Sequence, residues 1–289
     1  MSEYAAAAAG LVERSAQAFV AAVPEHPADD GYFGPASATW QIAADLSAPV
    51  AGLRALLVQA LHPLAMAGVD QHSDWRRDPV GRLAATGAYL ATITFGDRAA
   101  ADRAAARVRR VHEHVQGTFD GQVYAASDPA LLLWVHATFV DSGLATARLF
   151  GSTVDADTYV GEMAVEAELL GTPSGLIPRT ASDLARYLDE ARSELAVTPA
   201  AADTAAYLLD PPGLDEEIAD LWQDIREAVL VSMPDWALDM YGIAPPPPLD
   251  EARRQEIRGV LGLLDTLILG EPGILEARQR IALRRRHAM

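Results

Sequence analysis

The chain has no cysteine and no lysine in its 289 residues. Without cysteine there are no disulfides, iron–sulfur clusters, zinc–thiolate sites, covalently attached c-type haem or thiolate-ligated haem. Without lysine there is no Schiff-base nucleophile, no pyridoxal phosphate anchor and no phosphate-gripping Walker lysine. All 23 basic residues are therefore arginine, against 40 acidic residues, for a net charge of −17. That balance argues against nucleic acid or an anionic lipid surface as partner. Any metal would have to be held by His, Asp, Glu, Tyr or Met.

Long apolar runs are also scarce. The stretches around residues 131–145 and 259–270 are interrupted by His136 and Asp141 or by Asp265, so no membrane span is expected. The first ten residues are alanine-rich but lack a basic leader, which predicts a cytoplasmic protein.

Half of the residues are apolar, enough for a large core, and Ala, Leu, Glu and Arg dominate. No alternating Val/Thr run suggests a sheet, so the predicted fold class is all-α. Residues 1–23 read as an N-terminal amphipathic helix, 24–242 as one helical domain, and 243–289 as a proline-rich arm with C-terminal helices. Helix signals recur along the domain. Ser47-Ala-Pro49 opens a segment running to His62, and another runs from Gly81 to Thr94. Asp97 caps a helix reaching about Gln116, which Gly117 ends, and Asp128-Pro129 starts a buried helix reaching about Phe150. Asp155 and Ser182 cap the next two. Four consecutive prolines, 245–248, form a stiff spacer.

Histidine supplies the candidate chemistry. Four of the seven lie between Gln59 and Val115. His112 shares an apolar helix stripe with Val108 and Val115, where a lone histidine is ordinarily a hydrogen-bonded core residue, whereas His114 falls on the polar side. Arg82 and Thr86, four apart, share a helix face that continues through Tyr89 and Ile93. Arg82 is either a solvated helix start or a cation aimed into a pocket. His62 precedes Pro63, whose ring deprives a carbonyl near Gln59 of its helical donor, and the His62 side chain is placed to satisfy such a group. His72 and Asp74 follow Gly68 in a helix-to-loop transition. His136 is surrounded by Leu132, Leu133, Phe139 and Val140, with Asp141 and Ser142 as its expected hydrogen-bonding neighbours. Glu162, Glu166 and Glu168 lack the Glu-x-x-His partner of a di-iron bundle.

Taken together, Phe33-Gly34-Pro35, the run from Gln59 through His62-Pro63 to Gly68-Val69, His72-Ser73, Thr94-Phe95-Gly96, Arg107-Val108 through His112 and Leu132 through His136 to Asp141-Ser142 resemble the MpaB/latex clearing protein family, across about residues 30–245. The resemblance implies a globin-like helical core around a b-type haem and an oxygenase acting on an apolar small molecule. It implies His112 as the proximal iron ligand and cofactor-binding roles for Arg82 and His136. On the distal side it implies Arg82 and Thr86, and His72 is the candidate acid/base at the pocket mouth, because an imidazole ordinarily titrates near working pH. The rubber oxygenase also carries a lysine just before the threonine and a glutamate upstream of the arginine. Here the first position is Ala85, and Asp70, His72 and Asp74 stand in the upstream region instead. A redox partner and a homo-oligomer are further expectations. The alternatives are a non-haem iron held by some of His62, His72, His112 and His136 with a carboxylate, and a non-catalytic protein that binds a hydrophobic ligand.

Overall fold

A computed structural model of the chain describes residues 28–214, 216–267 and 272–287. The expected helix over residues 1–23 lies outside them. Several helix starts pair an Asp or Thr cap with a proline in the first turn, where the missing N–H would be unsatisfied anyway. Asp78-Pro79 opens α4, Asp128-Pro129 opens α6 and Thr198-Pro199 opens α9, each cap accepting a hydrogen bond from a first-turn amide.

The helices run α1 (Ala38–Ala43), α2 (Ala48–Gln59), α3 (Pro63–His72), α4 (Pro79–Phe95), α5 (Arg98–His112), α6 (Pro129–Leu149), α7 (Ala156–Leu170), α8 (Ala181–Ala191), α9 (Pro199–Leu209), α10 (Glu216–Ser232), α11 (Asp235–Tyr241), α12 (Glu251–Leu267) and α13 (Pro272–His287). The all-α class is correct but for one hairpin, β1 (Gln116–Phe119) with β2 (Gln122–Ala125). Asp120 and Gly121 both have positive φ, at 48° and 78°, the backbone a tight hairpin turn needs and one that Asp-Gly favours. The helix expected to reach about Gln116 ends at His112, and Gln116 opens the hairpin instead.

The centre of the fold is α2 packed on α6, with α7, α8 and α10 around them. Val50, Leu57 and Leu61 meet Trp134, Ala137 and Val140 there. Leu249, Ile257 and Leu261 join the same core, so the chain after the prolines packs on the body. By length and composition α6 would suffice to cross a membrane, but 72% of its apolar window is buried inside the protein. It continues through His136 and Asp141 because both side chains find partners.

Arg54 is one such partner. It sits among the apolar residues of α2 at 3% exposure and donates to Asp141 Oδ2, Ser142 Oγ and the Ser232 carbonyl, each at 2.7 Å. It thereby ties α2, α6 and the end of α10 together. A buried cation persists only when its donors are taken up in this way.

Between α2 and α3 the chain turns by 105°. Pro63 begins α3, and the Gln59 carbonyl is satisfied by Trp134 Nε1 at 3.1 Å, not by the His62 side chain as expected. At the C-terminus, Arg278 bonds Asp265 and the Ala44 carbonyl, and Arg280 pairs with Asp29, so these two arginines are tethers.

Candidate functional site

His112 is the last residue of α5, whose first turn is held by Asp97 accepting from the Ala100 amide at 2.7 Å. The final turn also holds Arg109 and Arg110, cations suited to the negative end of a helix. Arg109 donates to the Leu169 carbonyl and so ties α5 to α7. His112 Nδ1 is buried with no hydrogen-bond partner among the described residues. An unpaired buried imidazole nitrogen is costly, which marks it as a place where a ligand belongs.

Arg82 lies in the first turns of α4. Its guanidinium makes no hydrogen bond or ion pair among the described residues, and the side chain is exposed. Protein around it nonetheless desolvates the charge enough to hold its pKa below the usual arginine value. Those two properties coexist when a side chain lines a cleft. His112 is held below the usual histidine value, first by burial and then by the charge of Arg82, with Glu166 opposing. Arg82, His112 and Glu166 therefore lie close enough to feel one another's charge, and the neutral imidazole, the form that binds metal, is favoured. Thr86 is exposed on the same face, and its hydroxyl donates to the Arg82 carbonyl at 3.1 Å.

His136 is buried, but Asp141 and Ser142 are not its partners, because Arg54 occupies both. Its Nδ1 lies 2.6 Å from Glu166 Oε2, and Tyr89 donates to Glu166 Oε1 at 3.1 Å. Burial and then the Glu166 charge push the Tyr89 phenol far above its ordinary pKa, so it remains a donor. The three glutamates of α7 go to three places. Glu162 accepts from the Ala38 and Thr39 amides and the Thr39 hydroxyl at the start of α1, Glu166 joins His136, and Glu168 pairs with Arg179 at 2.5 Å.

The other two histidines lie elsewhere. His62 is packed against Trp134, with Nε2 3.7 Å from Glu194. Exposed at the end of α3, His72 meets the Tyr124 ring edge-on and lines a cleft with Arg107, Arg110, Val111, His114 and Val115. Neither His112 nor Arg82 lines that cleft, so His72 is not assembled with them. Among the described residues no three His, Asp or Glu converge as metal ligands, and the set His62, His72, His112, His136 is not gathered. His62, like His112, has a buried Nδ1 without a hydrogen-bond partner among the described residues, and each is a single donor and not part of a three-ligand set.

Sequence reasoning missed Glu166, Tyr89 and Arg54 as structural partners. A signal existed for two of them. Glu166 falls on the buried stripe of Tyr159 and Met163, and Arg54 on that of Val50, Leu57 and Leu61. A charged residue inside an apolar stripe implies a buried partner.

The family model described as "ER-bound oxygenase mpaB/B'/Rubber oxygenase, catalytic domain" matches residues 40–265, from Trp40 in α1 into α12. No curated protein and no solved structure matches the chain significantly.

Proposed function

The chain belongs to the family of mpaB-type and rubber oxygenase catalytic domains, and from that premise we propose that it is a haem b-dependent oxygenase of a compact apolar molecule. The observation that carries the cofactor reading is the buried, unpartnered Nδ1 of His112 beside the unpaired Arg82. In this reading His112 would hold the haem iron through its neutral imidazole, and Arg82 would supply a cation for a haem propionate or for bound oxygen. When bound, the haem supplies the dioxygen chemistry that the twenty side chains lack. His136 acts through Glu166 and holds the wall between α6 and α7. Thr86 offers a hydroxyl on the Arg82 face.

The visible spectrum of the purified, haemin-reconstituted protein tests the proposal. A Soret band that His112→Ala abolishes, with far-ultraviolet circular dichroism unchanged, is expected. A wild-type protein with no Soret band, or full haem retention without His112, overturns it.

A further inference from the structure

On the outer side of α5, a cleft of about 500 Å³ lies between the end of α3 and the base of the hairpin. Its lining consists of His72, Arg107, Arg110, Val111, His114 and Val115. Four nitrogen-bearing side chains thus converge around two valines, in a chain whose net charge is −17. Neither Arg107 nor Arg110 has an ion pair among the described residues. Arg253 and Arg278, by contrast, are occupied by acidic neighbours, Asp224 and Glu227 for the first and Asp265 for the second. The two guanidiniums, one helical turn apart, are thus open to an anion.

Local geometry keeps the group in place. His114 Nδ1 donates to the Arg110 carbonyl at 2.7 Å, which fixes the ring with Nε2 on its other side. On the α3 wall, the Tyr124 ring meets His72 edge-on, and its hydroxyl donates to Gln71 Oε1 at 2.7 Å. Gly117 admits this contact, since a Cβ there would come within 2.7 Å of the Tyr124 hydroxyl. The cleft is therefore built from the C-terminal ends of α3 and α5 beside a hairpin that Tyr124 pins to Gln71.

We infer that this cleft binds a small aliphatic carboxylate, its anionic head between Arg107 and Arg110 and its chain on Val111 and Val115. The forked guanidinium matches a carboxylate in two-point hydrogen bonding. A phosphate-only ligand would leave the exposed Val111 and the half-buried Val115 unused. The volume falls within the range of small-molecule sites.

Titration of the full-length protein with sodium decanoate below its micellar concentration, followed by calorimetry, tests this directly. Saturable one-to-one binding is expected, with decanol and inorganic phosphate each weaker by about tenfold or more, since each lacks half of the contact. Arg107→Gln/Arg110→Gln should weaken decanoate by about tenfold or more, and Val111→Ser should weaken decanoate while leaving phosphate unchanged. Circular dichroism checks that each variant is folded. Phosphate binding as tight as decanoate would reduce the cleft to a basic patch, and decanoate binding indifferent to the arginines would place it elsewhere; either result overturns the inference. So would loss of the protein's visible absorption on removing the arginines, because they would then serve the cofactor.

Discussion

His136 and Glu166 meet across the α6–α7 interface at 2.6 Å, with both side chains almost fully buried, at 5% and 6% exposure. The carboxylate has two oxygens and two donors, His136 Nδ1 and the Tyr89 hydroxyl. Three helices, α4, α6 and α7, are thus joined through one acidic group. The same group acts on His112, so the joint that holds the fold also sets the electrostatics of the candidate site.

Removing Glu166 should therefore destabilise more than an average substitution. Glu166→Ala leaves a buried imidazole nitrogen and a buried phenol without an acceptor and opens a void, an expected loss of about 3 kcal/mol. Tyr89→Phe should cost less in the Glu166→Ala background than in the wild type, because their hydrogen bond is already gone. Urea unfolding of the four proteins measures both. A Glu166→Ala loss within about 0.5 kcal/mol of zero would mean the network carries no stability.

Arg54 offers a second measurement away from the site. With its three partners on α6 and after α10, Arg54→Ala should cost about 3 kcal/mol. Asp141 is 33% exposed and can regain water, so Arg54→Met, which keeps the packing, should recover part of that loss. Equal losses for the two variants would show that packing plays no part in what Arg54 does.

Much of the frame was legible in the sequence. The Asp128-Pro129 and Asp97 signals place α6 and α5 correctly at their starts, because caps and proline act locally. The ends were harder. The helix expected to reach about Gln116 stops at His112, and residues 116–119 pair with 122–125, although Asp120-Gly121 between them is a strong hairpin signal. α8 is capped by Thr180 and not by Ser182, because Thr180 accepts from the Asp183 amide. Partner identity was not legible at all. His136 and Asp141 are one turn apart in sequence, yet their partners, Glu166 and Arg54, come from other helices. No local spacing encodes that choice. His112 and Arg82 lie close enough for the arginine charge to lower the histidine pKa, whereas His72 faces a different cleft.

His62 predicts a pH dependence. Burial, its largest influence, lowers its pKa in the folded state below the ordinary 6.5, although Glu194 and Asp128 oppose it. The unfolded chain therefore binds more protons than the folded one below about pH 6.5, so stability rises with pH there. The contribution is complete above pH 6.5 and is lost as pH falls toward the folded-state pKa. Unfolding free energies of wild type and His62→Gln between pH 5 and 8 should converge toward the acid end, the wild type losing more. Parallel curves would refute this.

The final expectation concerns the substrate. The rubber oxygenase that the chain resembles places a lysine before its distal threonine and a glutamate upstream, whereas this chain has Ala85, exposed on α4, before Thr86. The acidic residues of the upstream region are engaged. Asp70 accepts from Arg76 and Trp75, and Asp74 lies 3.8 Å from Arg77. His72 lines the outer cleft with Arg107 and Arg110. No base is thus poised beside Arg82 among these groups, and base-assisted cleavage of polyisoprene would lack its proton acceptor. Incubating the haem-loaded protein with rubber latex under oxygen should yield no aldehyde- and ketone-ended oligomers above the level of free haemin. Abundant oligomers would show that Thr86 and Arg82 suffice for alkene cleavage, and would return polyisoprene to the list of substrates.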